Sequence, residues 1–321
     1  MASLTDIAGI KVGHAQDFTA ATGCTVIICQ GGAVAGVDVR GGAPGTRETD
    51  LLNPVNYVDK VHAVLLAGGS AFGLDAAAGV MQYLEEQGAG FDVGVAKVPI
   101  VSGAVLFDLA CGDYRVRPDK AMGYAACLAA GSPEVAEGSV GAGTGATVGK
   151  VFGMAHAMKG GIGTWCLAAG PLLVGAVVAV NCLGDVVNAA DGGILAGAFS
   201  ETPFTFLNCE EGMIAQYKQQ DSRFSGNTTI GTVVTNAVLT KSQAQKVASM
   251  AHNGYARTIR PAHTLFDGDT IFALATGQVA ADVSAVGILA ARAVEQAVIR
   301  AVSQATPLAG FKCCRDIHMP Q

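Results

Sequence analysis

The sequence predicts an α+β or layered α/β fold, with sheets inside and helices packed against them. Three observations carry that expectation. Short apolar runs rich in β-branched residues alternate with segments whose apolar residues recur every three or four positions. Forty-three glycines, against 12 Phe, 6 Tyr and 1 Trp, point to backbone packed closely on backbone. Half of the 321 residues are hydrophobic and only 14% are charged, enough apolar side chain for a large core.

The elements follow in chain order. Cys24 to Cys29 (CTVIIC) and Ala33 to Val39 read as two strands joined by a hairpin at Gly31-Gly32. His62 to Ala67 (HAVLLA) reads as a buried strand, followed by Gly68-Gly69-Ser70 and a helix from about Phe72 to Gln87. Leu74, Ala77, Ala78, Met81 and Leu84 give that helix its apolar face. Pro118-Asp119 starts a second helix that ends near Gly131. Leu172 to Val180 is a strand, with Asp185 to Asn188 expected to fold back on it. Thr229 to Thr235 and Thr270 to Ala275 are strands, and Lys241 to Thr258 and about Ala281 to Val302 are helices. No composition shift marks a domain boundary, so residues 1–321 are expected to form one domain. The polar segment Gln216 to Gly226 is the best linker candidate.

Bulk properties exclude several function classes. The net charge is −6 with no basic tract, which argues against a nucleic-acid partner. The first residues, MASLTDIAGIKVGHAQ, lack the layout of a secretion signal, and the most apolar stretch, Ala168 to Val180, is too short for a membrane span. A cytoplasmic protein with no membrane partner is expected. So little charge on a chain of this size points to a homo-oligomer. Nine scattered cysteines without a C-x-x-C read as buried thiols. The six histidines show no metal-ligand spacing, so neither metal nor cofactor is expected.

Several stretches look like chemistry. Gly141 to Lys150 (GAGTGATVGK) resembles a phosphate loop, but Thr144 stands where its first Gly should be and Val151 follows the lysine, so nucleotide binding is rejected. Gly68-Gly69-Ser70 before a helix reads as a tight turn in preference to an anion site. Asp267-Gly268-Asp269 puts two carboxylates two residues apart at the mouth of a buried strand; alone it also reads as a solvated turn. Lys150, in surroundings almost free of charge, is either a snorkelling surface residue or a functional cation. Asn181 closes a strand, where its amide either caps a turn or donates to an oxyanion. The junction Ser225 to Val234 (SGNTTIGTVV) allows three readings: a loop entering a strand, a glycosylation acceptor at Asn227, or a place where the chain cuts itself to expose a threonine. A cytoplasmic location removes the second.

Together these positions resemble the self-processing N-terminal-nucleophile hydrolases that include the D-aminopeptidase DmpA, the β-peptidyl aminopeptidases and the nylon-oligomer endohydrolase NylC. The resemblance spans nearly the whole chain, through Ile10-Lys11-Val12-Gly13-His14, Asp38-Val39-Arg40-Gly41-Gly42, Gly68 to Leu74, Asn227-Thr228-Thr229-Ile230 and His263 to Thr270. It implies a layered αββα sandwich, two sheets between helices. It also implies cleavage between Asn227 and Thr228 into an α chain, 1–227, and a β chain of 94 residues, 228–321, that remain assembled as αβ units, usually in tetramers or larger. Thr228 would be the nucleophile, with Lys150, Asn181, Asp267 and Asp269 at the functional positions of the nylon-oligomer type. The Asn-Thr junction, in place of a serine nucleophile, puts the chain nearer that type. The implied activity is hydrolysis of a peptide or aminoalkanoate-oligomer amide without a cofactor. Other readings that stay open are an aminopeptidase for β- or D-amino-acid amides, an acyltransferase with the same nucleophile, and an uncleaved metabolite-binding paralogue.

Overall fold

Side-chain alternation along the strands sorts the core into layers. The computed structural model describes residues 2–218 and 226–318. The main sheet has nine strands. In chain order the longer ones are β1 (Lys11–Asp17), β2 (Thr22–Val39), β3 (Lys60–Ala67), β4 (Val101–Val105), β5 (Gly161–Ala169), β6 (Leu172–Asn181), β7 (Thr228–Ala237) and β8 (Thr270–Val279). Their hydrogen-bonded order is β5-β6-β7-β8-β2-β3-β4, with β1 on β2 and the short strand Thr46–Arg47 beside β4.

The 18-residue β2 joins the two halves of this sheet. Cys24 to Ile28 pair with β3, and Val34 to Val39 pair with β8. Between them the register shifts, and Gly32 adopts a φ of 77°. The expected hairpin at Gly31-Gly32 is therefore a bulge within one strand: the glycines let the strand bend without reversing it.

The bent sheet faces itself across an apolar layer. Ile27, Val64 and Leu66 from one half share a core with Val177, Ile230, Phe272 and Leu274 from the other. The alternate residues point outward. Val26, Ala63 and Leu65 pack on helices α1 (Ala76–Glu86) and α2 (Lys120–Leu128). Val178, Val233 and Ile271 pack on α3 (Lys241–Thr258) and α4 (Val283–Ser303). Helix, sheet, sheet, helix is the expected αββα sandwich, with the two sheet layers hydrogen-bonded into one through β2. Glycine makes the stacking close: a Cβ at Gly36 of β2 would lie 2.2 Å from the backbone nitrogen of Gln245 in α3.

Asp185–Val187 does not fold back on β6 as expected; it pairs with Ile194–Ala196 and Ile259–Arg260 instead. The first part of the expected linker is the end of a helix, Cys209–Lys218, while residues 219–225, including Ser225 of the junction, lie outside the described residues. No helix among the described residues is long and apolar enough to cross a membrane.

Candidate active site

Thr228 opens β7 at the centre of the sheet, paired with Asn181 at the end of the antiparallel strand β6. Before it, Asn227 forms a parallel bridge with Asp267. These pairings converge on the Asn227-Thr228 peptide bond. In the continuous chain the Thr228 hydroxyl donates to the carbonyl oxygen of Asn227, and the backbone N–H of Gly268 donates to the same oxygen at 3.0 Å.

The acidic turn lies just ahead of β8, so its two carboxylates are placed by the turn, not by strand alternation. Asp267 Oδ2 accepts from the Thr264 N–H at 2.8 Å and the Thr264 hydroxyl at 2.6 Å. Its Oδ1 is buried and has no partner among the described residues. Asp269 Oδ1 accepts from the N–H of Thr229 at 2.8 Å, and Oδ2 from the ring and backbone N–H of His263 at 2.9 and 3.1 Å. Burial, and then the charge of Asp269, push the Asp267 carboxyl up to about 6, with the Thr264 hydrogen bonds and Lys150 opposing them. The motif Asp38-Val39-Arg40-Gly41-Gly42 clasps this turn from the end of β2. The N–H groups of Arg40 and Gly41 donate to the Asp269 carbonyl at 2.9 and 3.3 Å, and that of Ala43 to the Asp267 carbonyl at 2.8 Å.

Lys150 is 3% exposed, which removes the snorkelling alternative. Its Nζ donates to the Asn181 carbonyl at 2.9 Å and to Asn181 Oδ1 at 3.0 Å. Burial lowers its amine to about 8, although Cys182 and Asp267 oppose the shift. Asn181 Oδ1 also accepts from the Thr147 N–H at 2.9 Å, and its Nδ2 donates to the Phe107 carbonyl at 2.9 Å. In the continuous chain the Asn181 amide is thus bonded to Phe107, while the backbone N–H of Gly268 is one donor on the Asn227 carbonyl. The stretch GAGTGATVGK serves as scaffold: the fully buried Lys159 donates to the carbonyls of Thr144 and Ala146 at 2.7 and 2.6 Å, just before Thr147. Gly68-Gly69-Ser70 is a tight turn held by Asp108, whose Oδ1 accepts from the Gly69 N–H at 2.6 Å.

Two cavities flank the junction. One, about 150 Å³, is lined by Pro44, Ser70, Leu106, Phe266 and Thr228. The other, about 270 Å³, is lined by Asp108, Cys111, Thr147, Met154 and Lys150. Phe107 and Gly226 border both. A Cβ on Gly226 would sit 2.4 Å from the Phe107 ring, so only glycine passes here.

The structure brings Thr228, Lys150, Asn181, Asp267 and Asp269 around one peptide bond. It adds Gly268, Phe107, Thr147, Thr264 and His263, to which the sequence motifs assign no role. Three of these act through backbone groups and carry no side-chain signal, while His263 and Thr264 sit inside the acidic motif itself.

Comparison with known proteins assigns the family. The sequence model of Peptidase family S58 matches residues 2–315. The chain belongs to this family. A Mycobacterium tuberculosis relative, named an uncharacterized aminopeptidase, is 44% identical over 99% of this chain and 98% of its own length. A 6-aminohexanoate-oligomer endohydrolase from Kocuria sp. is 33% identical over 92% of this chain and 84% of its own. Two solved structures share the S58 chain's fold. The Burkholderia sp. beta-aminopeptidase has a TM-score of 0.69 at 22% identity, covering 99% of this chain and 94% of that one. The L-aminopeptidase D-Ala-esterase/amidase of Ochrobactrum anthropi, described as a variant of the Ntn hydrolase fold, has 0.71 at 20%, covering 95% and 87%. This S58 member is therefore a hydrolase, and it shares the fold of these two structures.

Proposed function

We propose that the chain cuts itself between Asn227 and Thr228 and then hydrolyses amides with Thr228 as an N-terminal nucleophile. One observation carries the reading: the Thr228 hydroxyl lies against the Asn227 carbonyl while the Gly268 N–H holds the same oxygen at 3.0 Å. Nucleophile and oxyanion donor thus meet on one peptide bond.

In the cleavage step Thr228 Oγ1 attacks the carbonyl carbon of Asn227. Asp267, whose Oδ1 is uncommitted, takes the hydroxyl proton directly or through water. Negative charge gathers on the Asn227 oxygen under the Gly268 N–H. The C–N bond then breaks, its nitrogen takes a proton to become the Thr228 α-amine, and an ester to Oγ1 remains. Water hydrolyses the ester, leaving an Asn227 carboxylate, an α chain of residues 1–227 and a β chain of 228–321.

The new amine has a reference pKa of about 7.7–8.0, so a useful fraction is neutral near pH 7.5 and can act as base for its own hydroxyl. Lys150, held on Asn181 opposite Thr228, disfavours a charged amine by like-charge repulsion. A substrate amide is attacked in the same way: its amine leaves, and water releases the acid from the Thr228 ester. The substrate class is a peptide or an aminoalkanoate-oligomer amide. Aminopeptidase and oligomer-endohydrolase names among the relatives support that range.

The test is Thr228→Ala beside Thr228→Ser. The alanine variant is expected to fold, stay whole on a denaturing gel and release no amine from aminoacyl anilides or 6-aminohexanoate oligomers, while the serine variant is cut and retains activity. An alanine variant that still hydrolyses these amides would show the nucleophile to be another residue.

A further inference from the structure

A histidine outside the roles assigned so far holds one member of the aspartate pair. His263 donates to Asp269 Oδ2 twice, from ring Nδ1 at 2.9 Å and from its backbone N–H at 3.1 Å. Both bonds close the same short loop because His263 adopts a φ of 60°, a left-handed conformation uncommon outside glycine. A non-glycine residue kept there against its preference marks a place where surrounding contacts enforce a geometry. Here the contacts are on α3: the ring stands 4.9 Å from His252 and 6.2 Å from Tyr255, centroid to centroid, both of them fully buried. A carboxylate only accepts, so Nδ1 carries the proton. The other oxygen of Asp269 receives the Thr229 N–H at 2.8 Å.

We propose that His263 is a positioning residue that locks the Asp269 carboxylate onto the Thr229 N–H and thereby fixes the backbone that presents Thr228. The relay runs from the His263 ring through Asp269 to the residue after the nucleophile. It needs no contact between the imidazole and the reacting atoms. Near-attack geometry is sensitive to displacements of about 1 Å, so slack at Thr229 reaches the chemistry directly. The His263 donors also offset the Asp269 charge that reaches Asp267, whose carboxyl that charge already pushes up, so their loss moves the acid limb of cleavage upward. The titratable groups against the ring are Asp269 on the acidic turn, which also carries Asp267, and His252 and Tyr255 on α3; Asp38 and Arg40, at the end of β2, act on His252.

The inference rests on the self-cleavage reading, and the experiment separates the two. Full-length chains are collected in denaturant after brief expression and refolded between pH 5 and 9, and the cut fraction is followed with time on gels. His263→Gly suits the left-handed backbone but lacks the ring donor; His263→Asn also suits it and keeps an N–H close to the place of Nδ1. The glycine variant is expected to cut about tenfold more slowly at pH 7, with its acid limb about one pH unit higher than wild type. Added imidazole should restore much of the loss, and the asparagine variant should follow the wild-type limb. A glycine variant with lowered melting temperature but an unmoved limb would show the ring to be packing only, overturning the proposal. So would an asparagine variant displaced as far as glycine. If glycine prevents folding, the asparagine limb decides: a limb within 0.3 pH unit of wild type, on the order of the assay's error, supports the proposal, and a larger displacement overturns it. A wild-type chain whole at every pH removes the self-cleavage reading itself.

Discussion

Gly268→Ala tests the geometry on which the proposed chemistry depends, and it adds a single methyl group. The backbone of Gly268 is outside the left-handed region, so alanine is conformationally allowed. Space is what it lacks. Its Cβ would lie 2.7 Å from Thr228 Oγ1, 2.8 Å from the Ala43 carbonyl oxygen and 3.2 Å from Pro44 Cα. Ordinary contact begins near 3.4 Å, so the hydroxyl or the turn must give way by more than half an ångström. Movement of the turn stretches the 3.0 Å bond from Gly268 N–H to the Asn227 oxygen, and movement of the hydroxyl spoils the line of attack. Loss of one oxyanion donor costs about 10²–10³ in rate, and a misplacement of about 1 Å costs about 10²-fold. Self-cleavage is therefore expected to slow at least about 10²-fold, with overpacking costing about 1–3 kcal/mol of stability. Band intensities over time after synchronised refolding read the first quantity, and thermal melts the second. A Gly268→Ala chain that folds and cuts at the wild-type rate would refute the placement of hydroxyl and donor.

Other perturbations read other parts of the site. Because Asp267 has its carboxyl raised to about 6, cleavage should lose rate as pH falls through 6, where an ordinary aspartate would hold to about 4; a pH–rate series on refolded chain checks this, and a limb near 4 contradicts it. The raised value also means that ionising Asp267 in the fold costs stability above about pH 6 and nothing below the unfolded value near 3.8. Asp267→Asn should accordingly melt higher than wild type at pH 8 but not at pH 4, while cutting slowly throughout; an equal difference at both pH values would count against the shift. Lys150→Met removes the buried donor to both Asn181 oxygens. Calorimetry should show a loss of about 1–3 kcal/mol for the orphaned carbonyl, and gels a slower cleavage near pH 7, because the Lys150 charge helps to hold the Asp267 carboxyl down. Cleavage at the wild-type rate at that pH would remove lysine from this role. Finally, light scattering on the purified protein is expected to give a mass several times 32.3 kDa, as so little surface charge suggests.

How much was legible depends on how local each signal is. Lys241 to Thr258 is legible in full because Ala244, Val247, Ala248 and Ala251 recur at helical spacing; the structure adds a capping box at its start, Thr240 with Gln243. The strands around Thr228 and Thr270 were read from β-branched runs. By contrast β5, GIGTWCLAA, is a strand because α4 and β6 bury it, and its glycines hid it. Gly31-Gly32 carried a hairpin signal, yet β2 runs on because β8 and β3 pair with its two halves, a long-range matter no dipeptide encodes. The site divides in the same way. Five side chains are legible from motif and resemblance. The Gly268 N–H, the Phe107 carbonyl and the Thr147 N–H have no side-chain signature and appear only when the chain is folded. Lys150 is ambiguous in the sequence because burial is a property of tertiary packing.

The central claim meets its most direct test in the covalent state of active protein. Intact-mass spectrometry of a purified, amide-hydrolysing preparation, with N-terminal sequencing of the lighter species, reads it in one experiment. The account predicts two polypeptides, the lighter with 94 residues and beginning Thr-Thr-Ile. A fully active sample that contains one unbroken 321-residue chain would contradict it.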